Sequence, residues 1–286
     1  MKGYLGVDVG SVSTNIVVLD EAGNVLTGKY LRTNGRPIAA VQEGLYSIGQ
    51  ETKGEVKIAG VGATGSARYL TSLVIGADVV KNEITAHAIA SSRVVKDVKT
   101  IIEIGGQDSK IIILRDGVVT DFAMNTVCAA GTGSFLDQQA SRLCIPIEEF
   151  GDYALKAKNP VRIAGRCAVF AESDMIHKQQ LGYNIEDIIA GLCDALVRNY
   201  MNNLGKGKEI LPPVMFQGGV AANKGLVQAF NKYLGLEVIV PPWYGIMGAI
   251  GVALLAQDFI KKKGKTDFKG FYIQSIDFKT RRFDCK

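Results

Sequence analysis

Residues 6–14 run Gly6-Val7-Asp8-Val9-Gly10-Ser11-Val12-Ser13-Thr14. An apolar strand, Gly3 to Val9, leads into a glycine and a run of hydroxyl side chains. Successive backbone N–H groups in such a turn form an anion nest. The turn offers the backbone of Gly10 and Val12 and the hydroxyls of Ser11, Ser13 and Thr14 as phosphate donors. Asp8 repels phosphate but can hold hydrated Mg²⁺. An ordinary polar hairpin is the competing reading of this turn taken alone.

The same grammar returns a hundred residues later. A strand from Thr100 to Ile104 runs into Gly105-Gly106-Gln107-Asp108-Ser109. Asp8 and Asp108 read as acids at matched positions in two halves, able to share one Mg²⁺ through its waters. Gln107 reads as a residue that orients an attacking water, as glutamines do in some nucleotide hydrolases. A third element, Gln217-Gly218-Gly219-Val220-Ala221-Ala222-Asn223, brings a strand into a glycine pair. Gly218, Gly219, Val220 and Asn223 suit a flat base and ribose, because glycine lets backbone approach a ligand closely.

Working outward, each half begins with a strand, a tight polar turn and a β-meander, then adds helices. Strands are expected at Asn15 to Leu19, Val25 to Arg32, Val56 to Val61, Ser109 to Leu114, Val118 to Phe122, Val214 to Gln217 and Leu236 to Val240. Pro37 opens a helix to about Thr52 by the first-turn proline rule. A further helix covers Glu83 to Val95. Helices dominate from Gly133 to about Gly205, and the last long one runs from about Gly245 to Ile260. The implied division is 1–96, 97–244, a helix over 245–264 packing back on the first domain, and a basic tail over 265–286. Two α/β units of this kind suit a cleft that holds several phosphates.

Composition excludes other classes. With 47% apolar and 21% charged residues, the 286-residue chain forms cores and is not disordered. The net charge of +5 is unevenly placed. Residues 261–286 hold nine Lys/Arg against three Asp, which leaves the body near neutral. A nucleic-acid protein puts its basic stripe on the fold itself, so no nucleic-acid partner is expected. No apolar run reaches the ~20 residues of a spanning helix, and the start, MKGYLGVDVG, lacks a secretory layout. A cytoplasmic protein without a membrane partner is expected. No Walker A motif is present, which removes the P-loop alternative.

The five cysteines, Cys128, Cys144, Cys167, Cys193 and Cys285, form no CxxC pair. Cys144 and Cys193 sit in helical apolar patterns and read as small buried hydrophobes. Cys128 and Cys167 instead lie among glycines and small residues just before helical runs. A helix N-terminus favours a thiolate and an anionic cluster. A [4Fe–4S] centre takes four thiolates. One chain offers two, and a twofold pair offers four at one isologous interface. Buried structural cysteine is the competing reading.

Six stretches, GVDVGSVST, EIGGQDSK, NTVCAAGTGSFLD, GRCAVFAESDMIHKQQ, FQGGVAANKG and GIMGAIGVAL, carry a resemblance over about residues 1–260. The three turns resemble the phosphate-1, phosphate-2 and adenosine motifs of the acetate kinase, sugar kinase, heat-shock chaperone and actin superfamily. Within it the chain is most similar to the activators of 2-hydroxyacyl-CoA dehydratases and their benzoyl-CoA reductase and double-cubane-cluster relatives, the BadF-BadG-BcrA-BcrD ATPases. The resemblance implies two RNase-H-like domains and ATP/ADP with Mg²⁺. It also implies one [4Fe–4S] cluster bridging a homodimer through Cys128 and Cys167. The turn Gly131-Thr132-Gly133, beside Cys128, would report the γ-phosphate. The implied activity is ATP-driven transfer of single electrons from ferredoxin or flavodoxin to a partner iron–sulfur dehydratase or double-cubane-cluster protein. The energetic logic is that ~23 kcal/mol corresponds to about 1 V for one electron. Two other readings stay open: a sugar or small-acid kinase of the same superfamily, and a nucleotide switch without a cluster. His177 reads as a helix-surface histidine and His87 as structural. Glu83 and Glu172 read as surface or cap residues, and Cys285 as a free thiol.

Overall fold

The computed structural model describes residues 1–273. The chain divides into two compact units, Met1–Lys81 joined by the chain from Val252 on, and Asn82–Gly251. Cys285 and the last part of the basic tail lie outside the described residues.

The first unit holds one mixed sheet in the order β3-β2-β1-β4-β5. Its strands are β1 (Lys2–Val9), β2 (Ser13–Leu19), β3 (Val25–Arg32), β4 (Lys57–Thr64) and the short β5 (Val79–Val80). β1 is antiparallel to β2 and parallel to β4. β1 is buried from Gly3 to Val9 and β2 from Thr14 to Leu19, the continuous burial of strands covered on both faces. Helix α1 (Pro37–Thr52) has Pro37 in its first turn and closes at Lys53 in a left-handed conformation (φ 45°). Its buried Val41, Leu45 and Ile48 recur at helical spacing and meet the sheet core. Helix α2 (Arg68–Ile75) has no counterpart among the elements expected from sequence. Its eight residues expose Tyr69, Leu70 and Leu73, so no apolar stripe announces it.

The second unit repeats the plan. Its sheet runs β8-β7-β6-β9, with β6 (Thr100–Ile104), β7 (Ser109–Arg115), β8 (Val118–Asn125) and β9 (Val214–Gln217). Beside β9, Met215 and Ile239 form a single parallel bridge. The strand expected over Leu236 to Val240 is thus one residue pair, cut short where Pro241 removes a backbone donor. With that bridge as fifth member, both sheets share one order, three antiparallel strands followed by parallel additions, as the RNase-H-like reading requires.

Helix α3 (Glu83–Val94) belongs to this unit, with Asn82 Oδ1 capping the Thr85 N–H at 2.9 Å. The expected boundary at 96 thus differs from the contact boundary at 81, because α3 packs on β7 and β8. Helices α4 (Gly133–Arg142), α5 (Ile147–Leu155), α6 (Ala168–Gln180), α7 (Ile185–Tyr200) and α8 (Lys224–Leu234) follow. Phe135, Phe150, Leu196, Tyr200, Phe216 and Phe230 fill their common core. Cys193 is buried on α7, as its apolar pattern predicts. Cys144 is exposed instead. α4 ends at Arg142 and Cys144 takes a left-handed φ of 55° in the turn, which carries it off the helical stripe.

Helix α9 (Met247–Lys263) begins in the second unit and finishes in the first. Within the first unit the Val252 carbonyl lies 2.2 Å from where a β-carbon at Gly62 would stand, so only glycine lets the helix lie this close to β4. The stretch Tyr244–Lys263 is long and apolar enough to cross a membrane by length and composition, with 56% of its apolar window buried inside the protein.

Candidate nucleotide and cysteine sites

The two glycine turns are built alike. β1 ends at Val9, paired with Thr14, and β6 ends at Ile104, paired with Ser109. Four residues lie between the paired positions in each case. Gly10 N–H donates to the Ser13 carbonyl at 2.9 Å, and Gly105 N–H donates to the Asp108 carbonyl at 3.0 Å.

This register corrects one expectation. Asp8 pairs with Asn15 on β2, and Glu103 pairs with Lys110 on β7. The acid that matches Asp8 is therefore Glu103, while Asp108 matches Ser13. Motif spelling hid this, because the two turns place their acids on opposite sides of the glycines.

In the first unit Asp8 stands between Asn15 and Thr64 in one row across three strands. All three are buried. Asn15 Oδ1 and Thr64 Oγ1 have no hydrogen-bond partner. A buried oxygen left so costs ~1–3 kcal/mol, which a ligand or its water would relieve. Ser11 is exposed and Ser13 half-buried. Thr14 is fully buried, and its hydroxyl meets Thr33 Oγ1 at 2.9 Å. Thr33 Oγ1 in turn donates to the Gly10 carbonyl at 3.0 Å. The Thr14 side chain thus braces the turn from below instead of pointing to an anion.

In the second unit the matching row is Lys110–Glu103–Gln217. Lys110 is only 2% exposed. Its Nζ lies 2.7 Å from Glu83 Oε2, 3.0 Å from Glu103 Oε2 and 2.9 Å from Asp108 Oδ1. Burial pushes the Glu103 carboxyl up to about 8 against the pull of Lys110, while the three carboxylates hold Lys110 well above the ordinary lysine range. Glu83 is therefore part of a buried ion network, not a surface or cap residue. Gln217 Nε2 meets His87 Nδ1 at 2.9 Å and Ser91 Oγ donates to Gln217 Oε1 at 3.1 Å. Burial, with Lys110 second, lowers the His87 pKa to about 4, so this ring is neutral. Gln107 is exposed at the tip of the turn.

Gly218 follows β9 with φ 91°, and a β-carbon there would stand 2.3 Å from the Ile104 carbonyl. Gly219, Val220 and Asn223 are half-buried beyond it. Asn223 Oδ1 caps α8 through the Leu226 N–H at 3.1 Å, and its Nδ2 is buried without a partner.

Gly131, Thr132 and Gly133 are buried. Thr132 Oγ1 donates to its own turn at Ala129 O. Gly133 N–H and Ser134 N–H donate to the Gly105 and Gly106 carbonyls at 2.9 and 2.8 Å. These residues support the second glycine turn from within the protein rather than lining it.

Cys128 precedes a short turn, Ala129–Gly131, and Asn125 clamps it. Asn125 Nδ2 donates to the Cys128 carbonyl at 2.8 Å, and the Cys128 N–H donates to Asn125 Oδ1 at 2.9 Å. Cys167 is the N-cap residue of α6. Both thiols are half-buried. Beside them Val127 is 95% exposed, and Val169 and Phe170 on α6 are also exposed. Isolated exposed apolar residues are ordinary, but these flank the two cysteines. His177 lies exposed on α6, as expected of a helix-surface histidine. Glu172 pairs with Arg142 at 2.7 Å and accepts from Gln138 Nε2 at 2.8 Å. Among the described residues no three His, Cys, Asp or Glu side chains gather as a metal site.

Sequence reasoning passed over Asn15, Thr64, Lys110, Asn125 and Asn199. Lys110 carried a signal, since a lysine inside the apolar strand Ser109–Leu114 must be paired if buried.

A duplicated RNase-H-like sheet, with a glycine turn after the first strand of each copy, is the fold of the actin and sugar-kinase type. The chain belongs to the BadF/BadG/BcrA/BcrD ATPase family, whose model matches residues 5–256. It is 35% identical over 256 residues to the (R)-2-hydroxyglutaryl-CoA dehydratase activating ATPase of Acidaminococcus fermentans, covering 88% of this chain and 96% of that one. It is 33% identical over 264 residues to the 2-hydroxyisocaproyl-CoA dehydratase activator of Clostridioides difficile, covering 91% and 97%. A solved structure of the Clostridium difficile activator with bound ADPNP superposes with a TM-score of 0.85 at 32% identity, covering 92% of this chain and 97% of that one.

Proposed function

We propose that this chain is an ATP-driven electron donor that activates an iron–sulfur enzyme such as a 2-hydroxyacyl-CoA dehydratase. Two copies would share one [4Fe–4S] cluster, each giving Cys128 and Cys167. The observation that carries the reading is the pair of cysteine loops. Both cysteines are half-buried beside exposed apolar residues, and both loops are tied to one side chain, Asn199. Two thiols per chain meet the four-ligand requirement only in a twofold pair. The cluster, when bound, supplies one-electron chemistry at low potential.

Nucleotide binding is the proposed role of both glycine turns and of Gly218 to Asn223. Asp8 and Asp108 would hold Mg²⁺ through water, and the unpartnered oxygens of Asn15 and Thr64 beside Asp8 fit a hydrated ion. Mg²⁺, when bound, neutralises phosphate charge. Gln107 would orient the attacking water. Ferredoxin or flavodoxin is the proposed electron source.

Anaerobic reconstitution of the full chain with iron and sulfide tests the reading. Broad absorbance near ~400 nm and four iron atoms per two chains are expected, lost in Cys128→Ala and Cys167→Ala and kept in Cys144→Ala. Four iron atoms per single chain, or iron that survives both substitutions, would overturn it.

A further inference from the structure

Asn199 lies near the end of α7, is 4% exposed, and stands where the helix widens into one turn of π-helix over Met201–Gly205. Such widened turns are frequent at functional sites. Its amide reaches two loops. Nδ2 lies 2.7 Å from the Gly165 carbonyl, 3.4 Å from the Arg166 carbonyl and 3.9 Å from Cys128 Sγ. Oδ1 accepts from Asn203 Nδ2 at 3.0 Å. The same oxygen lies 2.9 Å from where a β-carbon at Gly131 would stand, so the chain can pass only as glycine.

An amide nitrogen has two N–H groups, and here it faces three acceptors. The Gly165 contact is short enough to hold one. The second is shared between the long Arg166 contact and the Cys128 sulfur. A thiolate is the stronger acceptor, because charge-assisted hydrogen bonds are about twice as strong as neutral ones. A Cys128 sulfur bound to a cluster as thiolate would therefore draw the second N–H while the first keeps the loop before Cys167 in place.

We propose that Asn199 is a positioning residue for both cluster thiolates, holding the two cysteine loops together and donating a hydrogen bond to Cys128 Sγ. This inference rests on the cluster reading above. Hydrogen bonds to cluster sulfurs and nearby charge set reduction potential. Loss of the donor leaves more negative charge on sulfur and disfavours the added electron. The Gly131 contact continues to the nucleotide turn, since Gly133 and Ser134 bond the Gly105 and Gly106 carbonyls.

Two measurements on the full chain test the proposal. In the metal-free, reduced protein, iodoacetamide labelling is followed at each cysteine by mass spectrometry. Asn199→Ala is expected to speed labelling of Cys128 and Cys167 several-fold, with the exposed Cys144 unchanged. Equal rates at Cys128 and Cys167 in variant and wild type would overturn the tether. In the reconstituted protein, Asn199→Ala and Asn199→Asp are expected to shift the midpoint potential to more negative values, Asp further than Ala. A variant that keeps its urea midpoint and loses its iron also supports positioning. Variants that load fully at an unchanged potential would overturn it. Wild-type protein that takes up no iron would instead refute the cluster reading, and the labelling would still decide the tether.

Discussion

The two sheets carry the same turn on different charge. In the first unit the acid at the end of the central strand is Asp8, flanked by neutral Asn15 and Thr64. In the second it is Glu103, flanked by Lys110 and Gln217. One lysine changes what the row can do. Lys110 lies against Glu103, Glu83 and Asp108, so the second row is the base of a buried ion network. The first row keeps two unpartnered oxygens beside its acid and is the one suited to a hydrated ion. Duplicated architecture thus gives one half a buried ion network and the other an acid beside two unpartnered oxygens.

Lys110→Met breaks the comparison most severely. It strands three carboxylates, and breaking a buried ion network costs about 3–5 kcal/mol. The urea midpoint should fall sharply. A loss below ~1 kcal/mol would mean that the network is not structural.

The His87–Gln217 contact puts a pH dependence on the same half. His87 has its pKa depressed to about 4 in the folded chain. A depressed group gives stability that is present above its unfolded value of ~6.5 and lost as pH falls toward the folded value. The second unit should lose about 3 kcal/mol between pH 6.5 and 4 on this account, since a tenfold change in proton affinity is worth ~1.4 kcal/mol. His87→Gln should flatten the acid limb of a stability–pH profile. An unchanged slope would remove the assignment.

The acids themselves should separate in kinetics. Asp8→Asn is expected to lower ATPase about 100-fold, or ~2.7 kcal/mol of barrier, with little change in stability. Glu103→Gln should shift the unfolding midpoint more than the Mg²⁺ dependence. The reverse pattern would exchange the roles of the two rows. Asn15→Leu gives the smallest effect on stability, within ~1 kcal/mol, because its buried Oδ1 has no hydrogen bond to lose. It should nevertheless raise the Mg²⁺ concentration needed for half-maximal ATPase. Unaltered Mg²⁺ dependence would leave the orphan oxygen without a role.

Much of this was legible in the chain. Pro37 marked the start of α1, and the glycine–acid turns marked the ends of β1 and β6. What failed was alignment between the halves. Matching Asp8 with Asp108 used spelling, whereas strand register matches Asp8 with Glu103. Hydroxyl direction was also illegible: Thr14 and Thr132 have the right chemistry for phosphate, but Thr14 turns to Thr33 and Thr132 to its own turn. Asn199 gave no signal, because its three acceptors come from segments tens of residues away that only the fold brings together.

On the proposed reading, nucleotide state reaches Cys128 and Cys167, the thiols that would hold a shared cluster. The path of contacts runs from Gly105 and Gly106 through Gly133 and Gly131 to Asn199 and Cys128. A ligand shifts such an equilibrium only by its differential affinity for the two states. The direct measurement is iron extraction by bathophenanthroline from the reduced, reconstituted dimer, with ADP and then with a non-hydrolysable ATP analogue. Faster iron loss with the ATP analogue than with ADP is predicted, and the difference should vanish in Asp108→Asn. Equal rates with both nucleotides, together with an unchanged midpoint potential, would contradict the account.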